Sequence, residues 1–149
     1  MLLTKRLETA LDKLYTAFYK DELDPENCSH CAVGNICDNM DAWKHFTDIH
    51  GSVQLNYLGR LHQTLGKRIN GYTPFELLRI EASFLKGCGY SINKRNRLLK
   101  PAPVIDQEMM FKGLCATIDY LCALDGVENV MELYQRFDLK VERKKSVVV

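Results

Sequence analysis

Apolar side chains recur at helical spacing along most of the chain. Leu3, Leu7, Leu11, Leu14, Tyr15 and Phe18 fall on one stripe with Lys, Glu and Asp between them, which predicts an amphipathic helix over residues 3 to 21. Pro25 disfavours helical geometry at Asp24, so this helix ends in "DELDPEN". "NMDAWKHFTDIHG" predicts a short helix closed by Gly51, with Trp43, Phe46 and His50 on its inward face and His45 turned away. The next stretch predicts a helix over residues 53 to 66 that turns Leu58, Leu61 and Leu65 inward.

"TPFELL" is the sharpest boundary. Thr73 suits a cap, Pro74 the first helical position, and Glu76 completes a capping box. That helix carries Phe75, Leu78, Ile80 and Phe84 and stops at "GCG". Residues 91 to 104 form a basic, proline-containing connection. A long helix over residues 106 to 124 and a last one over "VMELYQRF" follow. No alternating strand pattern, repeat or low-complexity block interrupts this order. The expected architecture is all-α, a single compact domain of five to seven helices over residues 1–138, followed by a loose basic tail over 139–149.

Composition narrows the class. Apolar residues are 46% and charged residues 26% of the 149, and the formal net charge is +1, so no global field recruits nucleic acid or an anionic surface. The basic run "NKRNRLLK" reads as a solvated loop. The N-terminal stretch is broken by Lys5, Arg6, Glu8 and Asp12, so it lacks a signal-peptide core, and no apolar run is long enough to span a membrane. The expected compartment is the cytoplasm, where thiols stay reduced. The six cysteines are therefore not a disulfide framework.

Helical geometry sorts those cysteines. Cys115 and Cys122, seven apart, share a stripe with Leu114, Ile118 and Leu121 and read as core. Cys28 and Cys31 form a C-x-x-C within "CSHCAVGNIC", and Cys37 points elsewhere as a half-buried side chain. Cys88 stands between Gly87 and Gly89, where the backbone is free to turn sharply. A zinc ion takes four ligands in a tetrahedron and an iron–sulfur cluster four thiolates or nearly so. The candidate ligands are Cys28, Cys31, His50 and Cys88, with Cys37 or His45 as substitutes. His30 splays away from the thiol pair, and His62 borders an apolar stripe.

The strings "CAVGN", "WKHF", "DIHG", "NGYTPFELL" and "EASFLKGCGY" resemble a family of small bacterial proteins. Its members carry the name of the flavin- and NADH-binding subunit of the Na+-translocating NADH-quinone reductase, and the resemblance covers roughly residues 5 to 135. It marks Cys28, Cys31, His45, His50 and Cys88 as the family's polar landmarks. The full-length enzyme subunit of that name has a membrane anchor, a [2Fe–2S] domain and a reductase unit for flavin and NADH. This chain shows C-x2-C-x5-C rather than C-x4-C-x2-C, and no strand–glycine-rich–helix unit for NAD or FAD. The resemblance implies the name and not that activity.

The functional expectation is a small cytosolic Cys/His protein that binds zinc or an iron–sulfur cluster, with a redox link. The alternatives are a thiol-redox protein using the C-x-x-C pair, and a non-enzymatic module whose cysteines are structural. In that last case Met109, Met110, Phe111 and Tyr120 would serve a protein partner, although their helical spacing also suits a core. Asp41, Asp48 and Asp119 have no diagnostic catalytic spacing.

Overall fold

The computed structural model describes residues 3–95 and 97–127. The expected last helix over residues 130 to 137, the boundary at 138 and the tail over 139–149 lie outside the described residues.

Five α-helices dominate the described chain: α1 Lys5–Tyr19, α2 Ala32–Ile36, α3 Tyr57–Thr64, α4 Pro74–Cys88 and α5 Gln107–Leu124. A 3-10 helix, Ala42–Phe46, stands between α2 and α3. Each long helix starts where its sequence supplies a cap. The Thr4 hydroxyl accepts from Leu7 N at 3.2 Å and the Asp106 carboxylate from Met109 N at 2.8 Å. The capping box at α4 is complete: Thr73 Oγ1 accepts from Glu76 N at 3.3 Å, and Glu76 Oε1 accepts from Thr73 N at 2.9 Å.

α4 and α5 pack most extensively. Small residues allow it. A Cβ on Gly87 would stand 2.7 Å from Ala116 Cβ and 2.8 Å from Gly113 Cα, so the helices meet at these glycines. α1 and α2 close the other side, and Leu7, Leu11, Leu14, Ile36, Leu77, Phe84 and Leu114 fill the shared core. Arg6 braces the ends of three helices. It reaches Asp125 at 2.5 and 2.8 Å, the Gly71 carbonyl at 2.9 Å and Glu76 at 3.3 Å, and lies over the Tyr72 ring. Thr4 also bonds to Asp125.

The all-α expectation holds for the helices and needs one correction. Residues 91 to 99 fold into a two-stranded antiparallel hairpin, β1 Ser91–Ile92 and β2 Leu98–Leu99. Asn93 turns the chain: its Oδ1 accepts from Arg95 N and Arg97 N, both at 2.9 Å. Strands of two residues carry no readable period.

A second correction concerns α3. Leu58, Leu61 and Leu65 face outward and are exposed; the residue that α3 buries is Gly59. Its backbone docks on Phe46, and a Cβ there would stand 2.9 Å from Leu55 Cδ2. A backbone contact through glycine sets the rotation of this short helix, and the leucine stripe turns to solvent. The helix expected up to Gly51 is the shorter 3-10 turn, and Gly51 adopts φ +88° five residues beyond it. Cys115, expected in the core, is half-buried, whereas Cys122 is buried and Cys37, expected half-buried, is buried.

Candidate functional site

The C-x-x-C lies in a tight turn feeding α2. The Asn27 carbonyl accepts from His30 N at 2.9 Å and Cys31 N at 2.8 Å, and the Asn27 side chain accepts from Ser29 N at 2.9 Å. Cys31 is the N-cap of α2, and its sulfur accepts from Gly34 N at 3.3 Å. A Cβ on Gly34 would stand 2.5 Å from the Ser29 carbonyl carbon, so glycine is what lets the turn fold back onto the helix. From the 3-10 helix, the Trp43 indole donates to the Cys28 carbonyl at 2.9 Å. The turn is thereby tied at both its ends.

Glu81 of α4 faces this turn. It is a carboxylate in a core position, 1% exposed, on the stripe of Leu77, Phe84 and Cys88. Its Oε2 lies 3.2 Å from His50 Nε2 and its Oε1 accepts a long bond from Val33 N at 3.5 Å, while the Cys31 thiol donates to the Cys28 carbonyl at 3.6 Å. Among the described residues His50 is its ion-pair partner when the imidazole is protonated. A buried carboxylate needs such donors, because an unpaired buried charge costs several kcal/mol, about 3–5 when one partner of a pair is removed.

Glu81 also sets the thiol chemistry. Burial first, then the negative charge of Glu81, pushes the Cys31 thiol well above its ordinary value, with Gly34 N–H opposing. The same two causes raise Cys28, which is half-buried and has Lys44 as an opposing cation. The pair therefore consists of a partly accessible thiol and a buried one, both held protonated beside a buried acid.

His50 sits as expected on the inner side, its ring edge-on to Trp43 at 6.3 Å between centroids, and is half-buried. His45 is exposed, as expected. Burial, then the charge of Asp38, pushes the buried Cys37 thiol up to about 12, with Lys13 opposing. Cys88 is the last residue of α4, with Gly89 at φ +105° as the cap behind it. Its sulfur occupies the space that a Cβ on Gly113 of α5 would need. Burial, with a contribution from Glu81, pushes it up to about 12. Seven helical residues separate Glu81 from Cys88, about 10 Å of rise. Among the described residues no group of three or more His, Cys, Asp or Glu is placed to hold a metal ion.

Glu81 is the site residue that the sequence did not single out. The available signal was register: an acid in the α4 stripe that otherwise reads Leu77, Phe84 and Cys88.

No protein-family profile, curated protein or solved structure matches this chain, and the resemblance read from its strings gains no support there. No helix among the described residues is long and apolar enough to cross a membrane.

Proposed function

We propose that Cys28, Cys31, Glu81 and His50 form a proton-linked dithiol centre that reduces disulfides. One observation carries the reading: buried Glu81, whose negative charge acts on both thiols of the C-x-x-C, is bonded to half-buried His50 at 3.2 Å. Cys28 is the accessible thiol. Its thiolate fraction, formed by loss of the proton to solvent, attacks a disulfide R–S–S–R′, forming a mixed disulfide and releasing R′–S⁻, which takes up a proton. Cys31 then gives its proton to Glu81 and its sulfur attacks Cys28 Sγ, forming the Cys28–Cys31 bond and releasing R–S⁻. Two electrons pass from the dithiol to the substrate. His50, bonded to Glu81 at 3.2 Å and half-buried, carries the Glu81 proton outward to solvent in this scheme. Thiol–disulfide exchange needs this order of an exposed attacking and a buried resolving sulfur.

The test is trapping. With Cys31→Ser, exposure to glutathione disulfide leaves a stable mixed disulfide on Cys28, whereas the unmodified chain resolves it to an internal disulfide. Equal accumulation of mixed disulfide in both chains defeats the reading.

A second reading is a zinc site made of Cys28, Cys31, His50 and Glu81, with Glu81 in the place expected of Cys88. It rests on the 3.2 Å between Glu81 Oε2 and His50 Nε2. A tetrahedron with bonds of about 2.0 Å has edges of about 3.3 Å. It requires the Cys28 and Cys31 side chains to turn toward that edge. Stoichiometric zinc in the protein as isolated, lost with Glu81→Gln, selects it.

A further inference from the structure

Beside the thiol centre, a separate cavity of about 560 Å³ opens between α4, the segment after Gly51 and the hairpin. Its walls are Val53, Ala82, Leu85, Ile92 and Leu98. That volume lies within the range of small-molecule sites, about 300–1,000 Å³. Gly51 forms part of the wall at φ +88°. A Cβ there would stand 3.1 Å from Leu98 Cδ1 and 3.2 Å from Leu85 Cδ1, so the two side chains converge on bare backbone. Val53 and Ile92 remain exposed at the cavity with no described side chain covering them fully.

Lys86 is the charged residue that lines the cavity, and the hairpin that supplies Ile92 and Leu98 carries Lys94, Arg95 and Arg97 at its turn. Two residues of strand span about 7 Å, so the turn cations lie within a few residues' reach of Ile92 and Leu98. All four cations are exposed, and none forms an ion pair with a described residue; Lys100, just beyond, is held by Glu26 at 2.7 Å. No acid lines the cavity. The near-zero net charge of the chain makes this local excess a property of the rim, not of the whole surface.

We propose that this cavity binds a small amphipathic anion, with its aliphatic or aryl body against Val53, Ala82, Leu85, Ile92 and Leu98 and its carboxylate or phosphate at Lys86 and the hairpin cations. Burial of apolar ligand surface supplies affinity, and the rim cations select the sign of the head group. The proposal makes no use of the thiols and stands without the dithiol reading.

Titration calorimetry on the reduced protein with dodecanoate below its micelle concentration tests it. The expected result is saturable one-to-one binding, shared by dodecyl phosphate and absent with dodecyltrimethylammonium. Lys86→Glu with Arg95→Glu, both at exposed positions, weakens it about tenfold. Ala82→Leu, which fills the cavity from a helical position, also weakens it while leaving the circular dichroism spectrum unchanged. Equal binding of the cationic amphiphile, no saturable binding of dodecanoate, or binding only to anionic vesicles and not to the monomer overturns the proposal.

Discussion

The Cys88 sulfur packs against Gly113, and variants at the two positions measure how strongly α4 and α5 depend on fit. Cys88→Ala removes a buried sulfur from the α4–α5 contact. Lost transfer energy and the small hole left behind amount to about 1–2 kcal/mol. Gly113→Ala places a methyl where that sulfur sits, and within 3.0 Å of the Phe84 carbonyl oxygen. Overpacking of this kind costs about 1–3 kcal/mol, offset by about 1 kcal/mol for replacing a helical glycine. The double variant lets the new methyl fill the space the sulfur leaves. The Phe84 contact stays tight, so the rescue is partial, with a coupling of about 1 kcal/mol in favour of the double variant. Urea unfolding of the four proteins gives the cycle, and each kcal/mol also moves Tm by about 3–4 °C for a chain of this size. Strictly additive losses refute the packing geometry.

The buried charges and thiols set three further outcomes. Glu81→Gln removes the charge that, after burial, raises Cys28, so the pH midpoint of Cys28 alkylation falls; an unchanged midpoint denies that Glu81 acts on the pair. Cys37 and Cys88 rise from 9.0 to about 12 on folding, so the stability they contribute is complete below pH 9 and is lost as pH climbs from there through about 12. Urea midpoints at pH 8, 9.5 and 10.5 therefore fall in that order, and a flat profile contradicts it. Arg6→Ala leaves Asp125, whose side chain is 2% exposed, without its cation, with the Thr4 hydroxyl still bonded to it, and takes away the bonds to Gly71 and Glu76. The expected loss is about 2–4 kcal/mol by urea unfolding, and a loss below about 0.5 kcal/mol refutes the brace.

Much of this fold was legible because caps and period agreed. Thr73, Pro74 and Glu76 place the start of α4 to the residue, and the long helix expected from residue 106 begins one residue later, at Gln107, with Asp106 as its cap. Where backbone contacts set orientation, the pattern misled. Gly59 turns the Leu58, Leu61 and Leu65 stripe of α3 outward, and side-chain periodicity does not register a glycine contact. The hairpin depends on one asparagine side chain holding two amides, which two-residue strands do not announce. At the site, the C-x-x-C, the inward face of His50 and the exposure of His45 were readable from spacing. Glu81 was not, because a single acid in an apolar stripe looks like a tolerated boundary residue until the turn before α2 is seen folded against it. Flanking glycines suggested that Cys88 turns toward the thiol pair. Gly89 serves as a helix cap and Gly87 as a contact for α5, so both glycines have structural reasons of their own.

The dithiol centre is tested most directly by redox titration of the full chain in thiol–disulfide buffers, read by mass spectrometry of alkylated peptides. The expected result is one two-electron transition that links Cys28 to Cys31, with Cys37, Cys88 and Cys122 remaining alkylation-resistant until the protein unfolds. If no poise produces a Cys28–Cys31 disulfide while those two sulfurs remain free to react, the pair is not a redox centre and the proposal fails.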